Sequence, residues 1–243
     1  RESMARKEKK MGIMSKAYII HGWAYSTTKY EKISTILKNK GLNTTILNVP
    51  GLTAKIDGVW KLDDYVNWLK KIVDKEKGKV VLIGHSNGGR IAAAFASYYP
   101  QNLAYLVLID SAGIYHDELH TKIRLMFFAT LAKIGKKISS SKILRNVLYK
   151  LARENNYNHA TAEMKKTMVN LIKEDLSLYL QKIITPTLII WGEKDKVTPL
   201  SDAEVMHKII KNSKLYIVKA AKHSPHFTHT QEVADIILRT LKP

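Results

Sequence analysis

Short, continuously apolar runs alternate along this chain with segments in which apolar residues recur every three or four positions. An unbroken run of valine, isoleucine and leucine is typical of a strand buried on both faces, whereas the second spacing is typical of an amphipathic helix. The runs that predict strands are residues 17–20, 43–49, 79–84, 103–110, 185–192 and 214–218. The segments that predict helices are residues 28–40, 62–73, 90–99, 201–210 and a last one that starts near residue 230. This alternation predicts an α/β protein with a doubly wound, mostly parallel sheet of about six strands.

Between residues 114 and 180 the apolar spacing is helical and predicts no strand. We interpret residues 114–180 as a helical cap inserted after the fourth strand, with residues 16–113 and 181–243 forming the α/β core. We expect residues 1–15 to be a basic tail whose first three residues, before Met4, are a vector-derived remnant. The helical periodicity within the cap is carried by residues 123–134, 143–151 and 162–180.

The third predicted strand is joined to the next helix by a very short turn that holds a serine between glycines. Gly84-His85-Ser86-Asn87-Gly88 fits the G-x-S-x-G nucleophile elbow, in which a strained serine holds its hydroxyl above the end of the sheet. A Cβ at residue 84 or 88 would collide with the folded backbone or a neighbouring strand. An ordinary glycine-rich turn with an idle serine is the alternative, and the flanking strand and helix favour the elbow.

A serine hydroxyl becomes a good nucleophile only when an imidazole takes its proton and a carboxylate orients that imidazole. Asp195 follows the fifth predicted strand and His223 follows the sixth, so both meet Ser86 at the carboxyl edge of a parallel sheet. The chain order of Ser86, Asp195 and His223 is also the order expected with this elbow. We therefore predict a catalytic triad of these three residues.

Other residues compete for these roles. Asp110 also ends a predicted strand and is the alternative acid. His226 and His229 follow the predicted base closely and raise a metal-site alternative, but no carboxylate run accompanies them and Pro225 disfavours a regular helix there. We therefore expect no metal.

The composition narrows the functional classes. The chain has 40 Lys and Arg against 21 Asp and Glu, a net charge of +19, and no cysteine. The missing cysteines exclude disulfides and thiolate catalysis and suit a cytoplasmic location, and no apolar run is long enough to span a membrane. The positive charge is spread along the chain without a nucleic-acid-binding motif, so it indicates either a solvated surface or an acidic partner.

Several motifs together resemble the α/β-hydrolase-fold serine hydrolases that carry a helical cap. The resemblance runs from about residue 16 onward and implies oxyanion donors at the amides of Trp23 and Asn87, and no cofactor. Residues before 16 are too few for the antiparallel hairpin that begins many family members, so the sheet is expected to be all-parallel. The matching motifs are His21-Gly22-Trp23, Gly84 to Gly89, residues 108–113, residues 191–195 with Thr198-Pro199, and His223-Ser224-Pro225-His226.

The resemblance implies hydrolysis of short to medium carboxylic esters or of lactones through an acyl-enzyme. It extends to the pimeloyl-acyl-carrier-protein methyl ester esterases, which would make an acidic carrier protein the partner of the basic surface. Carbon–carbon bond hydrolysis, a non-catalytic ligand-binding role and nucleic-acid binding are the competing hypotheses. The residues we expect around the substrate pocket are His21, His85, Met126, Phe127 and Leu131.

Overall fold

A computed structural model describes residues 16–115 and 160–241 of the chain. Within these ranges every pair of neighbouring strands runs parallel, in the order β2-β1-β3-β4-β5-β6. The predicted all-parallel, six-stranded α/β architecture is confirmed over the described residues. The strands are β1 (Ala17–Ile20), β2 (Thr44–Ile46), β3 (Val80–His85), β4 (Leu103–Ile109), β5 (Thr187–Gly192) and β6 (Ser213–Val218).

Helices cover both faces of this sheet, as a doubly wound fold requires. One face carries α1 and α8, and the other carries α2 to α6. The helices are α1 (Thr28–Asn39), α2 (Leu62–Val73), α3 (Asn87–Tyr98), α4 (Ala162–Lys173), α5 (Ser177–Leu180), α6 (Leu200–Ile209), α7 (Pro225–Thr228) and α8 (Thr230–Leu241), and a 3-10 turn covers Pro100–Asn102. None of the helices that the structure describes is long and apolar enough to cross a membrane.

The side chains of each strand alternate between the two layers of the core. In β1, Ile19 packs in the layer of α1 and α8, whereas Ile20 packs in the layer of α2 and α3. In β3, Ile83 belongs to the α1 and α8 layer and Leu82 to the other. Because the side-chain period of a strand is two, the next odd-numbered residue, His85, also faces α1 and α8.

The predicted helix over residues 162–180 is interrupted, which corrects the sequence-based expectation. α4 ends at Lys173, the backbone of Glu174 is extended, and α5 begins at Ser177. Tertiary hydrogen bonds explain the break, because the Arg90 guanidinium donates to the Glu174 carbonyl and the Leu176 amide donates to the Gly113 carbonyl at 2.9 Å. These contacts replace intrahelical hydrogen bonds between α4 and α5.

Two further predictions about helix starts need correction. The helix predicted over residues 201–210 is α6, which begins at Leu200 after an extended Pro199 and ends at Ile209. Pro225 does not prevent a helix; it is the first residue of α7. Proline is tolerated there because the first turn of a helix does not use its amide.

Most of the predicted cap, residues 116–159, lies outside the described residues. The part that is described, α4 and α5, packs on the core through buried side chains such as Met164, Leu171 and Leu180. Met164 lies so close to the loop after β2 that a Cβ on Gly51 would come within 2.3 Å of its sulfur. The division into core and cap therefore stays a prediction.

Candidate active site

Ser86 lies at the sharp turn between β3 and α3. Its φ of 52° and ψ of −120° fall in a region that non-glycine residues rarely adopt. The turn is packed tightly, since a Cβ on Gly84 would lie 2.6 Å from the Gly88 carbonyl oxygen and a Cβ on Gly88 would lie 2.1 Å from the Ile20 carbonyl oxygen. The Ser86 amide donates to the Ile109 carbonyl at 3.1 Å, which ties the turn to the end of β4.

The three side chains predicted as a triad lie in one hydrogen-bonded line. Ser86 Oγ is 3.1 Å from His223 Nε2, and His223 Nδ1 is 2.8 Å from Asp195 Oδ2. Since carboxylate oxygens only accept hydrogen bonds, Nδ1 carries a proton and Nε2 is free to accept the serine proton. Asp195 comes from the loop after β5 and His223 from the loop after β6, so the line joins three strand ends.

The Asp195 carboxylate is fixed by its own loop. Oδ1 accepts from the amides of Val197 at 2.7 Å and Thr198 at 3.2 Å, and Oδ2 accepts from the Thr198 hydroxyl at 2.8 Å. The Asp195 side chain is fully buried, whereas that of His223 is 17% exposed. The loop therefore holds both oxygens of the carboxylate, and Oδ2 also orients the imidazole.

Asp110, the alternative acid, lies behind the triad instead of on the histidine nitrogen. It is fully buried with a φ of 41°, its Oδ1 accepts from the Gly192 amide at 2.8 Å, and its Oδ2 has no hydrogen-bond partner among the described residues. Burial, followed by the nearby charge of Asp195, raises the pKa of Asp110 to about 7. The carboxylate that contacts His223 Nδ1 is that of Asp195.

The two segments that carry the predicted oxyanion donors lie next to Ser86. Asn87 is the first residue of α3, where a backbone amide has no acceptor within its own helix. Trp23 is half-buried in the loop after β1, and the preceding residue, Gly22, lies against the nucleophile: a Cβ on Gly22 would be 3.0 Å from the Ser86 Cβ. The loop after β1 and the start of α3 thus converge on the serine, as an oxyanion hole requires.

The two histidines predicted near the pocket are buried supports of these loops. His21 is fully buried; its Nε2 is 2.8 Å from the Thr53 hydroxyl and its Nδ1 is 2.8 Å from the Gly22 carbonyl, and burial lowers its pKa. His85 is 6% exposed and its Nδ1 is 2.8 Å from the Tyr30 hydroxyl. Met126, Phe127 and Leu131, the other pocket candidates, lie outside the described residues.

The metal alternative gains no support from the ranges that the structure describes. His226 and His229 do not belong to a group of three metal-ligating side chains there; the only such group is His85, Asp110 and His223, whose ligand atoms lie within 4.8 Å of one another. Both ring nitrogens of His223 already contact Ser86 and Asp195. A metal ion in this group would have to replace a hydrogen bond of the triad.

Two residues that support this site had no role assigned from the sequence. Thr198 bonds Asp195 through both amide and hydroxyl, and its position three residues after the acid is a local signal for a loop that closes on its own carboxylate. Tyr30 reaches His85 across 55 positions of the chain. No periodicity or motif around Tyr30 distinguishes it from an ordinary core tyrosine on the buried side of α1.

Several known proteins are similar to this chain in sequence. The family model described as serine aminopeptidase, S33 (Hydrolase_4), matches residues 15–230. The chain is 24% identical over 246 residues to the pimeloyl-[acyl-carrier protein] methyl ester esterase of Wigglesworthia glossinidia brevipalpis, covering 92% of each protein. It is 23% identical over 257 residues to the human monoacylglycerol lipase ABHD6, covering 90% of this chain and 73% of the lipase.

Solved structures share the fold. An esterase from Exiguobacterium antarcticum superposes with a TM-score of 0.72 at 21% identity, covering 94% of this chain and 92% of the esterase. A hydrolase from Pseudomonas aeruginosa PA01 superposes with a TM-score of 0.74 at 15% identity, covering 96% and 91%. With the family match spanning most of the sequence, the chain belongs to the serine aminopeptidase S33 (Hydrolase_4) family of α/β hydrolases.

Proposed function

We propose that the protein is a serine esterase that hydrolyses carboxylic esters or lactones through an acyl-enzyme on Ser86. The observation that carries this proposal is the line from Ser86 Oγ through His223 to Asp195, with distances of 3.1 Å and 2.8 Å. Both distances lie within the range in which a base can take the proton of a serine. The strained backbone of Ser86 supports the same role, because such strain is typical of nucleophile elbows.

In the proposed reaction, His223 Nε2 takes the Ser86 proton while Oγ attacks the ester carbonyl carbon. The amides of Trp23 and Asn87 donate to the oxyanion, and a donor of this kind contributes about 3 to 4 kcal/mol. Asp195 stabilises the imidazolium through Nδ1. The tetrahedral intermediate then expels the alcohol, which receives its proton from Nε2. A water activated by the same nitrogen hydrolyses the acyl-enzyme and regenerates Ser86, so the chemistry needs no cofactor.

The named relatives favour ester substrates over carbon–carbon bonds and over a non-catalytic binding role. The curated proteins named above are an esterase and a lipase, and both names denote hydrolysis of an ester bond. A lactone is an internal ester and undergoes the same steps, so it stays within the proposal.

The absence of cysteine from the chain supports a cytoplasmic location.

A carrier-protein-linked ester is a second candidate substrate, favoured by the charge of the protein. The net charge is +19, and three exposed lysines, Lys194, Lys196 and Lys222, flank the acid and the base in sequence. Acyl carrier proteins are acidic, so a basic rim around the site would steer them. The relative from Wigglesworthia glossinidia brevipalpis is named for such a substrate.

The esterase proposal is tested by comparing wild-type protein with Ser86→Ala on p-nitrophenyl acetate, p-nitrophenyl butyrate and a series of lactones. We expect wild-type turnover and loss of at least about 10³-fold in kcat in the variant. Far-ultraviolet circular dichroism checks that the variant is folded. Equal turnover by the two proteins would contradict the proposal.

The carrier-linked candidate needs its own comparison, between a methyl ester on an acidic carrier protein and the same ester as a free small molecule. Replacing Lys194, Lys196 and Lys222 by Gln should lower kcat/KM for the carrier-linked ester alone, and salt should have the same effect because it screens exposed charges. Salt-independent turnover of the carrier-linked ester would eliminate this candidate and leave the free ester.

A further inference from the structure

A hydrogen-bonded chain under the site connects three loops. The Gly22 amide donates to the Tyr30 hydroxyl oxygen at 3.1 Å, and that hydroxyl lies 2.8 Å from His85 Nδ1. On the far side of the ring, His85 Nε2 is 3.4 Å from the Ser224 hydroxyl. Each of the three loops contributes a residue that is adjacent in sequence to a residue of the proposed mechanism. The adjacent pairs are Gly22 with Trp23, His85 with Ser86, and Ser224 with His223.

The donors and acceptors of this hydrogen-bonded series are compatible with one direction of donation. The Tyr30 oxygen accepts from the Gly22 amide through one lone pair, and its hydroxyl proton can be donated to His85 Nδ1. His85 is then a neutral imidazole with its proton on Nε2, where it donates to Ser224. Burial, followed by the charges of His226, His223 and His21, lowers the pKa of His85 well below its ordinary value and keeps the ring neutral.

The hydrogen-bonded series from Gly22 through Tyr30 and His85 to Ser224 lies in a tightly packed environment that transmits small displacements. The His85 ring centroid is 4.3 Å from that of His226 and 5.0 Å from that of His223. A Cβ on Gly22 would lie 3.3 Å from His85 Nδ1 and 3.0 Å from the Ser86 Cβ. Since close-packed interiors have little room to adjust, a shift of the His85 ring moves the loop after β1 relative to the serine.

We propose that Tyr30 and His85 are positioning residues that set the oxyanion loop at Gly22-Trp23 against Ser86 and His223. The inference rests on the proposed esterase function, because it assigns the pair a role in the geometry of the same reaction. Neither residue contacts the reacting atoms; the phenol and the imidazole act through the backbone of the loops that they join. Misplacement of oxyanion donors weakens binding of the transition state and leaves binding of the ground-state ester almost unchanged.

The first test compares Tyr30→Phe with Tyr18→Phe. Both substitutions remove one buried or part-buried hydroxyl that is hydrogen-bonded, but the Tyr18 hydroxyl bonds Glu76, after α2. We expect Tyr30→Phe to lower kcat by about tenfold with KM within twofold, and the affinity for a boronic acid that forms a tetrahedral adduct with Ser86 to fall by the same factor. Tyr18→Phe should change neither. Rates are normalised to active sites by burst titration, so partial unfolding cannot imitate the effect.

A second test uses the imidazole and its conservative replacement. Asn at residue 85 offers an acceptor near the position of Nδ1, so His85→Asn should retain most of kcat, whereas His85→Leu should resemble Tyr30→Phe. The double variant Tyr30→Phe/His85→Leu should be no slower than His85→Leu alone, because both changes break the same bond.

The outcomes separate this inference from the proposed function. Turnover that is insensitive to Ser86→Ala would overturn the esterase proposal itself. Turnover that depends on Ser86, with Tyr30→Phe equal to Tyr18→Phe or with additive effects in the double variant, would overturn the positioning role and leave the esterase in place.

Discussion

The Gly192 amide donates to Asp110 Oδ1 at 2.8 Å, so the carboxylate that follows β4 holds the end of the strand from which Asp195 departs. The Thr198 hydroxyl, which donates its proton to Asp195 Oδ2 at 2.8 Å, also lies 3.3 Å from the Asp110 carbonyl oxygen. Two carboxylates at neighbouring strand ends therefore have different contacts. Asp195 faces the histidine and Asp110 supports the loop that carries Asp195.

This division of roles predicts different effects for two isosteric substitutions. Asp195→Asn should lower kcat by about 10³- to 10⁴-fold, because an amide can donate to Nδ1 and favour the wrong tautomer of His223. Asp110→Asn should change kcat by less than about tenfold, because the amide oxygen still accepts from Gly192. Steady-state kinetics on p-nitrophenyl butyrate measures both. If kcat falls further in Asp110→Asn than in Asp195→Asn, Asp110 is the acid that orients His223.

Thr198 provides a second prediction, on the orientation of the acid. Thr198→Val removes the hydroxyl donor at 2.8 Å from Asp195 Oδ2 while keeping the shape of the side chain. We expect kcat to fall by about three- to tenfold, which corresponds to about 0.7 to 1.4 kcal/mol, because the carboxylate loses one of its hydrogen-bond donors. Thr198→Ser keeps the hydroxyl and should retain wild-type kcat. If Ser and Val behave alike, the hydroxyl does not orient the carboxylate.

The third prediction concerns the packing of the elbow. A Cβ on Gly88 would lie 2.1 Å from the Ile20 carbonyl oxygen, whereas one on Gly78 would meet nothing within 4 Å. Gly88→Ala should lower the free energy of unfolding by more than about 3 kcal/mol or prevent folding, as overpacking against backbone cannot relax cheaply. Gly78→Ala should change it by less than about 1 kcal/mol. Urea denaturation measures both, and equal stability of the two variants would contradict the geometry of the turn.

The fourth prediction concerns acid stability and His226, which is 2% exposed and has no hydrogen-bond partner among the described residues. Burial, then the charge of His223, lowers its pKa from 6.5 to about 3. Below pH 6.5 the unfolded chain binds a proton that the folded chain does not, so the free energy of unfolding falls as pH falls toward 3. Between about pH 7 and 5 this loss is about 2 kcal/mol for His226 alone.

His226→Phe should remove that part of the pH dependence while keeping the ring contact with Tyr30, at 5.1 Å between centroids. The raised pKa of Asp110 has the opposite effect, since its contribution is lost as pH rises from 3.8 to about 7, but it is common to both proteins and cancels in their difference. If the free energy of unfolding depends on pH equally in wild type and in His226→Phe, His226 does not cause the loss of stability in acid.

Features with a local sequence signal could be predicted here. Unbroken β-branched runs identified the six strands, and the glycines around Ser86 identified the turn, because both depend on neighbouring residues. The acid and base could be proposed because each follows a strand, and a parallel sheet brings such positions to one edge.

Features that depend on distant contacts could not be predicted. The break at Glu174 results from Arg90, 84 positions earlier, and no apolar spacing reveals a carbonyl held by a buried guanidinium. The environment of His85 likewise results from Tyr30 and His226, which approach from two other segments. The strand parity of His85 indicates which layer it enters, but only the folded helices supply its partners.

The hydrogen bond from the Leu176 amide to the Gly113 carbonyl, at 2.9 Å, also bears on how proteins of this kind diversify. It brings Gly113 and Leu176 side by side, so the chain leaves and rejoins the core at one point. We expect that a change in chain length between Tyr115 and Ala160 leaves the register of β4 against β5 unaltered.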